Sequence, residues 1–87
     1  MASVSIPLLL SEVTGGVRQV EVAGATVGQI VDSLEVALPG IRAKMLSDGK
    51  IVPTLAFTVD GKIAAAGLDT PVGPQSKVNI LPAFGGG

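Results

Sequence analysis

The group in this chain best placed to do chemistry belongs to the backbone: the α-carboxylate of Gly87, at the end of the run Gly85-Gly86-Gly87. Glycine has no Cβ, so Gly85 and Gly86 can thread a channel too narrow for any side chain. Fully extended, the six residues Pro82 to Gly87 span roughly 20 Å. That reach would present the carboxylate deep inside a partner while the folded body stays outside. An unstructured chain end has a similar composition, but these glycines follow directly on Ile80-Leu81-Pro82-Ala83-Phe84 with no polar linker between. A carboxylate with a reference pKa of about 3.5 is ionised at neutral pH and is a poor acyl donor. Adenylation by ATP would convert it into a mixed anhydride with a good leaving group. Neither Gly49-Lys50 nor Gly61-Lys62 has the spacing of a phosphate-cradling loop, so activation is expected from a separate enzyme. Ordering three glycines costs on the order of 3–6 kcal/mol, which that partner must offset by gripping the domain surface. Pro82, Ala83 and Phe84, at the base of the tail, are the candidate docking residues.

Side-chain chemistry is scarce. The chain has no Cys and no His, so it offers no thiol nucleophile, imidazole base, zinc site or Ser-His-Asp constellation. Seven acidic residues are spread along the sequence, and 87 residues leave little material for the cleft a carboxylate pair would need. A carrier, not an enzyme, is expected, with no cofactor or metal bound and ATP used by the partner. Net charge is −1 without a Lys/Arg cluster, and Trp and Tyr are absent, which argues against nucleic-acid binding. No apolar run reaches membrane-spanning length. Met1 to Leu10 lacks the positive n-region of a secretory signal, and a cytoplasmic protein is expected.

The elements that must position the tail read as one domain. Apolar residues make up 47% of the chain, mostly aliphatic, enough for a core without staples. Val4, Ile6, Leu8 and Leu10 alternate as one strand face. Thr14-Gly15-Gly16 is a turn, and Val17 to Ala23 alternates again, so the opening reads as a β-hairpin. Thr26 and Gln29 have capping-box spacing, and Val27, Ile30, Val31, Leu34 and Leu38 form the stripe of a helix that Pro39-Gly40 stops. Gly28 weakens its first turn by about 1 kcal/mol relative to Ala, which suggests close approach of another backbone. Ile41 to Leu46 is a short amphipathic piece, and Asp48-Gly49 a turn. Leu55, Phe57 and Val59 alternate through a strand at 54–60, and Phe57 is assigned to the core. Asp60-Gly61 marks a hairpin, with a return strand at 62–66 and a loop at 67–75. Ser76 to Leu81 is the last strand, with Val78 and Ile80 inward. The order β-β-α-β-β-β, with aliphatic first and last strands, predicts an α+β β-grasp fold: a mixed sheet of four to five strands with one main helix across one face. The domain is expected over 1–81 and a flexible tail over 82–87. Pro7 conflicts with a central strand, so a bulge is expected there.

The stretch Val78-Asn79-Ile80-Leu81-Pro82-Ala83-Phe84-Gly85-Gly86-Gly87 resembles the ending of the ubiquitin-like sulfur-carrier proteins. That family includes the molybdopterin synthase small subunit and the thiamine- and cysteine-biosynthesis carriers. The resemblance covers nearly the whole chain. Val4-Ser5-Ile6-Pro7 with Thr14-Gly15-Gly16 looks most like the cysteine-biosynthesis branch, while Gly40-Ile41 and Gly67-Leu68-Asp69-Thr70 fit the wider family. The resemblance implies that Gly86-Gly87 is the diglycine and that Gly87 is adenylated by a ubiquitin-activating-like enzyme. Gly87 would then accept sulfur as a thiocarboxylate and pass it to a biosynthetic enzyme. Gly85 and Phe84 depart from the family's small and aliphatic residues, and Gly73-Pro74-Gln75-Ser76 replaces an acidic turn. A molybdopterin synthase subunit, a protein modifier joined through Gly87 to lysines, and a structural subunit that never uses its terminus are the competing readings. Phe84 is equally suited to anchoring a partner and to folding back on its own sheet. Arg42, Lys44 and Lys50 read as a solvated face.

Overall fold

The computed structural model describes residues 1–83. The chain runs through β1 (Ala2–Ser5), a 3-10 turn (Leu8–Leu10), α1 (Ser11–Thr14), β2 (Gln19–Val22), α2 (Val27–Ala37) and α3 (Ile41–Met45). It continues through β3 (Leu46–Ser47), β4 (Lys50–Ile51), β5 (Leu55–Val59), β6 (Lys62–Ile63), a second 3-10 turn (Gly67–Asp69) and β7 (Lys77–Pro82). Five strands form one mixed sheet in the order β2-β1-β7-β5-β6, and β3 and β4 pair as a separate hairpin. The first and last strands of the sheet lie side by side at its centre and run parallel, with Val4 opposite Val78. This is the β-grasp fold the sequence predicts.

The helix α2 forms where its capping box and stripe require. The Gln29 amide donates to Thr26 Oγ1 at 3.2 Å, and Gln29 Oε1 accepts the amide of Ala25 at 2.8 Å, one residue outside the usual partner. Val27, Ile30, Val31 and Leu34 are wholly buried against Val4, Ile6, Phe57, Val78 and Ile80. Each such side chain contributes about 1.5–3 kcal/mol through removal from water. Gly28 is explained by contact: a Cβ there would lie 3.3 Å from the Leu68 carbonyl oxygen in the second 3-10 turn. Gly24 is tighter, since its Cβ would come within 2.9 Å of both the amide nitrogen and Cδ1 of Ile30. No spacing rule points to that close approach.

Several elements differ from expectation for identifiable reasons. The strand predicted through Leu10 stops at Ser5. Pro7 has no amide to give the ladder, and it opens a 3-10 turn in which the Leu10 amide donates to the Pro7 carbonyl at 3.0 Å. The first two strands pair antiparallel as expected, Val4 opposite Val20, but helical turns ending at Gly15, φ 66°, link them in place of a tight turn. Leu8 and Leu9 are left 64% and 61% exposed while Leu10 reaches the core. Asp48-Gly49 does more than turn the chain. Both residues take positive φ, as Asp60-Gly61 do, and close the β3–β4 hairpin. Its strands are two residues each, too short to show alternation. The return strand ends at Ile63 rather than Ala66.

Candidate functional site

The site predicted from sequence divides at the end of β7. Phe84, Gly85, Gly86 and Gly87 lie outside the described residues; Pro82 and Ala83 lie within them, on the sheet. Pro82 ends β7 opposite Leu55, and the Ala83 amide donates to the Thr54 carbonyl at 2.8 Å. The pairing of the sheet thus runs to Ala83. β7 is central, held by β1 on one side through Asn79 and by β5 on the other through Pro82. The chain beyond Ala83 issues from one of the most firmly paired strands of the molecule.

That end of the sheet carries exposed aliphatic surface. Because β1 and β7 are parallel and Ser5 is level with Asn79, the Leu8-Leu9 turn sits at the same end as Leu81 and Pro82. Leu81 is 46% exposed and belongs to the open face with Ala56, Thr58 and Asn79, its neighbours by register. Leu8 and Leu9 join the surface that sequence reasoning confined to Pro82, Ala83 and Phe84. Pro7 was the available signal, since a strand broken there leaves its next leucines without a sheet face to bury them.

The carboxylates with the clearest hydrogen-bond partners serve the backbone. Glu35 accepts the amides of Gly40 at 3.0 Å and Arg42 at 2.9 Å, binding the end of α2 to the start of α3. Asp60 accepts the Lys77 amide at 2.9 Å and the Ser76 hydroxyl at 2.8 Å, tying the β5–β6 turn to the start of β7. The amide bonds from Gly40 and then Arg42 hold Glu35 below its ordinary carboxyl range; the Lys77 amide and then the Ser76 hydroxyl do the same for Asp60. Lowered folded-state values mean that both groups add stability above their ordinary pKa values of 4.5 and 3.8, and lose it as pH falls through the depressed ones. Thermal melts should therefore show Tm level from neutrality to about pH 5 and falling below about pH 4. The double variant E35Q/D60N should show a shallower fall. Arg42, Lys44 and Lys50 are exposed. Arg42 meets Asp32 at 3.3 Å in a solvated ion pair, a type that contributes little. Among the described residues no group of three or more His, Cys, Asp or Glu could hold a metal ion, and no helix is long and apolar enough to cross a membrane.

Comparison with known proteins agrees with this fold. A family model described as "ThiS family" matches residues 4–87. The sulfur carrier protein CysO of Mycobacterium tuberculosis is 33% identical over 90 residues, covering 98% of this chain and 97% of that protein. In the crystal structure of the Amycolatopsis orientalis BexX/CysO complex, a chain 35% identical superimposes with a TM-score of 0.91 over 100% of both chains. SAMP1 from Haloferax volcanii is 28% identical, with a TM-score of 0.75 over 99% of this chain and 98% of its own.

Proposed function

The chain belongs to the ThiS family, and from that premise we propose that it is a sulfur carrier whose Gly87 carboxylate is the cargo site. A separate ubiquitin-activating-like enzyme binds the body and draws Gly85 and Gly86 into its channel. The Gly87 carboxylate attacks the α-phosphorus of ATP, pyrophosphate leaves, and an acyl adenylate forms. A sulfur donor then displaces AMP, leaving a thiocarboxylate whose sulfur passes to a biosynthetic acceptor, cysteine synthesis being the favoured destination. The chain itself contributes no catalytic side chain and binds no cofactor. It works in the cytoplasm, beside its activating enzyme and ATP.

One observation carries this reading: the family match runs through Gly87. The geometry supports it, because the doubly paired central strand ends at Pro82, at the same end of the sheet as exposed Leu8, Leu9 and Leu81. The similar protein crystallised with BexX favours a role exercised in complex with a partner. A second reading, conjugation to target lysines through the same activated glycine, is favoured by the likeness to SAMP1, a small archaeal modifier protein. Use as a molybdopterin synthase small subunit would employ the same thiocarboxylate. Intact mass spectrometry separates carrier from modifier. Incubation with an activating enzyme, ATP and a sulfur source should replace one oxygen of the chain by sulfur. Covalent ladders on other proteins, with no such exchange, would establish the modifier instead.

A further inference from the structure

The tripeptide Asp-Gly-Lys occurs twice, at 48–50 and at 60–62. Each copy closes a hairpin with nearly the same backbone: φ is 53° at Asp48 and 51° at Asp60, 74° at Gly49 and 84° at Gly61. Both Asp-Gly pairs are exposed.

An aspartyl-glycyl bond can rearrange without any enzyme, because glycine, lacking a Cβ, leaves its amide nitrogen open to the preceding carboxyl. The glycine nitrogen attacks Cγ of the aspartic acid. An N–Cγ bond forms, and the amide proton leaves with the carboxyl hydroxyl as water. The cyclic succinimide then takes water back at either carbonyl. Breaking the N–Cγ bond restores aspartate. Breaking the bond from nitrogen to the main-chain carbonyl carbon gives isoaspartate, with the chain now running through the β-carbon and the total mass unchanged.

The surroundings separate the two copies. Asp60 accepts the Ser76 hydroxyl at 2.8 Å on one carboxylate oxygen and the Lys77 amide at 2.9 Å on the other. Its own amide donates to the Lys77 carbonyl at 2.8 Å, within the five-stranded sheet. Attack on Cγ needs a neutral carboxyl that is free to turn toward the next nitrogen. The bonds at Asp60 oppose both requirements. Asp48 stands at the tip of a hairpin with two-residue strands outside that sheet. Among the described residues no hydrogen bond or ion pair holds its carboxylate. So short a ladder opens readily.

We infer that Asp48-Gly49 is a spontaneous modification site, converting to isoaspartate through the succinimide, while the identical Asp60-Gly61 is locked as ordinary aspartate. Conversion adds one backbone carbon between β3 and β4 and leaves the α-carboxylate as a short side chain. The reaction uses neither an activating enzyme nor ATP, so it stands apart from the sulfur-carrier reading.

Ageing the full chain near neutral pH tests this. Trypsin cuts after Lys44, Lys50 and Lys62, which places the two aspartates in separate peptides, 45–50 and 51–62. Isoaspartate in each is measured by methyl transfer from S-adenosylmethionine with an isoaspartyl methyltransferase, and by electron-transfer fragmentation. The folded chain should convert Asp48 at least about tenfold faster than Asp60. In urea, where neither carboxylate is held, the two rates should agree within about twofold. Ser76→Ala should speed conversion at Asp60 several-fold and leave Asp48 at its original rate. Equal rates in the folded chain, faster conversion at Asp60, or a ratio unchanged by urea would each overturn the inference. So would a folded chain that keeps Asp48 intact while the unfolded chain converts.

Discussion

Appending a single alanine after Gly87 is expected to abolish adenylation, lowering acyl-adenylate formation by more than about 100-fold while leaving Tm unchanged. The extension moves the terminal carboxylate about 3.8 Å along the chain and puts an amide where the nucleophile was. Misplacing a reacting group by even about 1 Å can cost on the order of 100-fold. The body is untouched because the addition lies beyond Ala83, the last described residue tied to the sheet. Pyrophosphate release in the presence of the activating enzyme measures the effect, and the melting curve provides the control. Full activity in the extended chain would remove the basis for assigning Gly87 as the cargo site.

Leu34→Ala is expected to be strongly destabilising, costing about 3–4 kcal/mol. Leu34 is wholly buried on α2 in the layer that joins helix to sheet, and large-to-alanine changes at such sites cost about 2–5 kcal/mol. At roughly 0.05–0.15 kcal/mol per residue, a domain of this length has a total stability of the same order. The variant should therefore populate unfolded chain at 37 °C, and denaturant titration gives the shift directly. A loss under about 1 kcal/mol would mean that the core collapses around the gap, contrary to its close packing.

The parts of the fold that are legible in the sequence obey local rules. Thr26 and Gln29 announce the helix start, the Val27–Leu34 stripe its buried face, and Asp60-Gly61 a hairpin. Each signal acts within a few residues, so no tertiary knowledge is needed. The features that escape depend on what lies across space. Asp60 as a clamp on β7 involves partners 16 and 17 residues away, while Glu35 as a cap for α3 and Gly24 beneath Ile30 depend on how the chain reverses at the ends of α2. The first strand is overextended past Ser5 by a reading from alternation, which persists by coincidence in Val4–Leu10 while the missing Pro7 donor decides the outcome. For the candidate site, composition shows where side-chain chemistry is absent, and the glycine run shows where a backbone acyl group is available. The apolar surface around its exit is hidden, since exposure of Leu8 and Leu9 arises from a turn and not from residue type.

The adjacent, parallel placement of β1 and β7 has a consequence for biosynthesis. The innermost pairing of the sheet joins residues 3–5 to residues 77–79, so it cannot form until residues 77–79 have left the ribosome. Translation that aborts before β7 yields a product without its middle strand, exposed to proteolysis rather than able to persist as a folded decoy. Folding around β7 thereby makes synthesis of that strand a condition of survival.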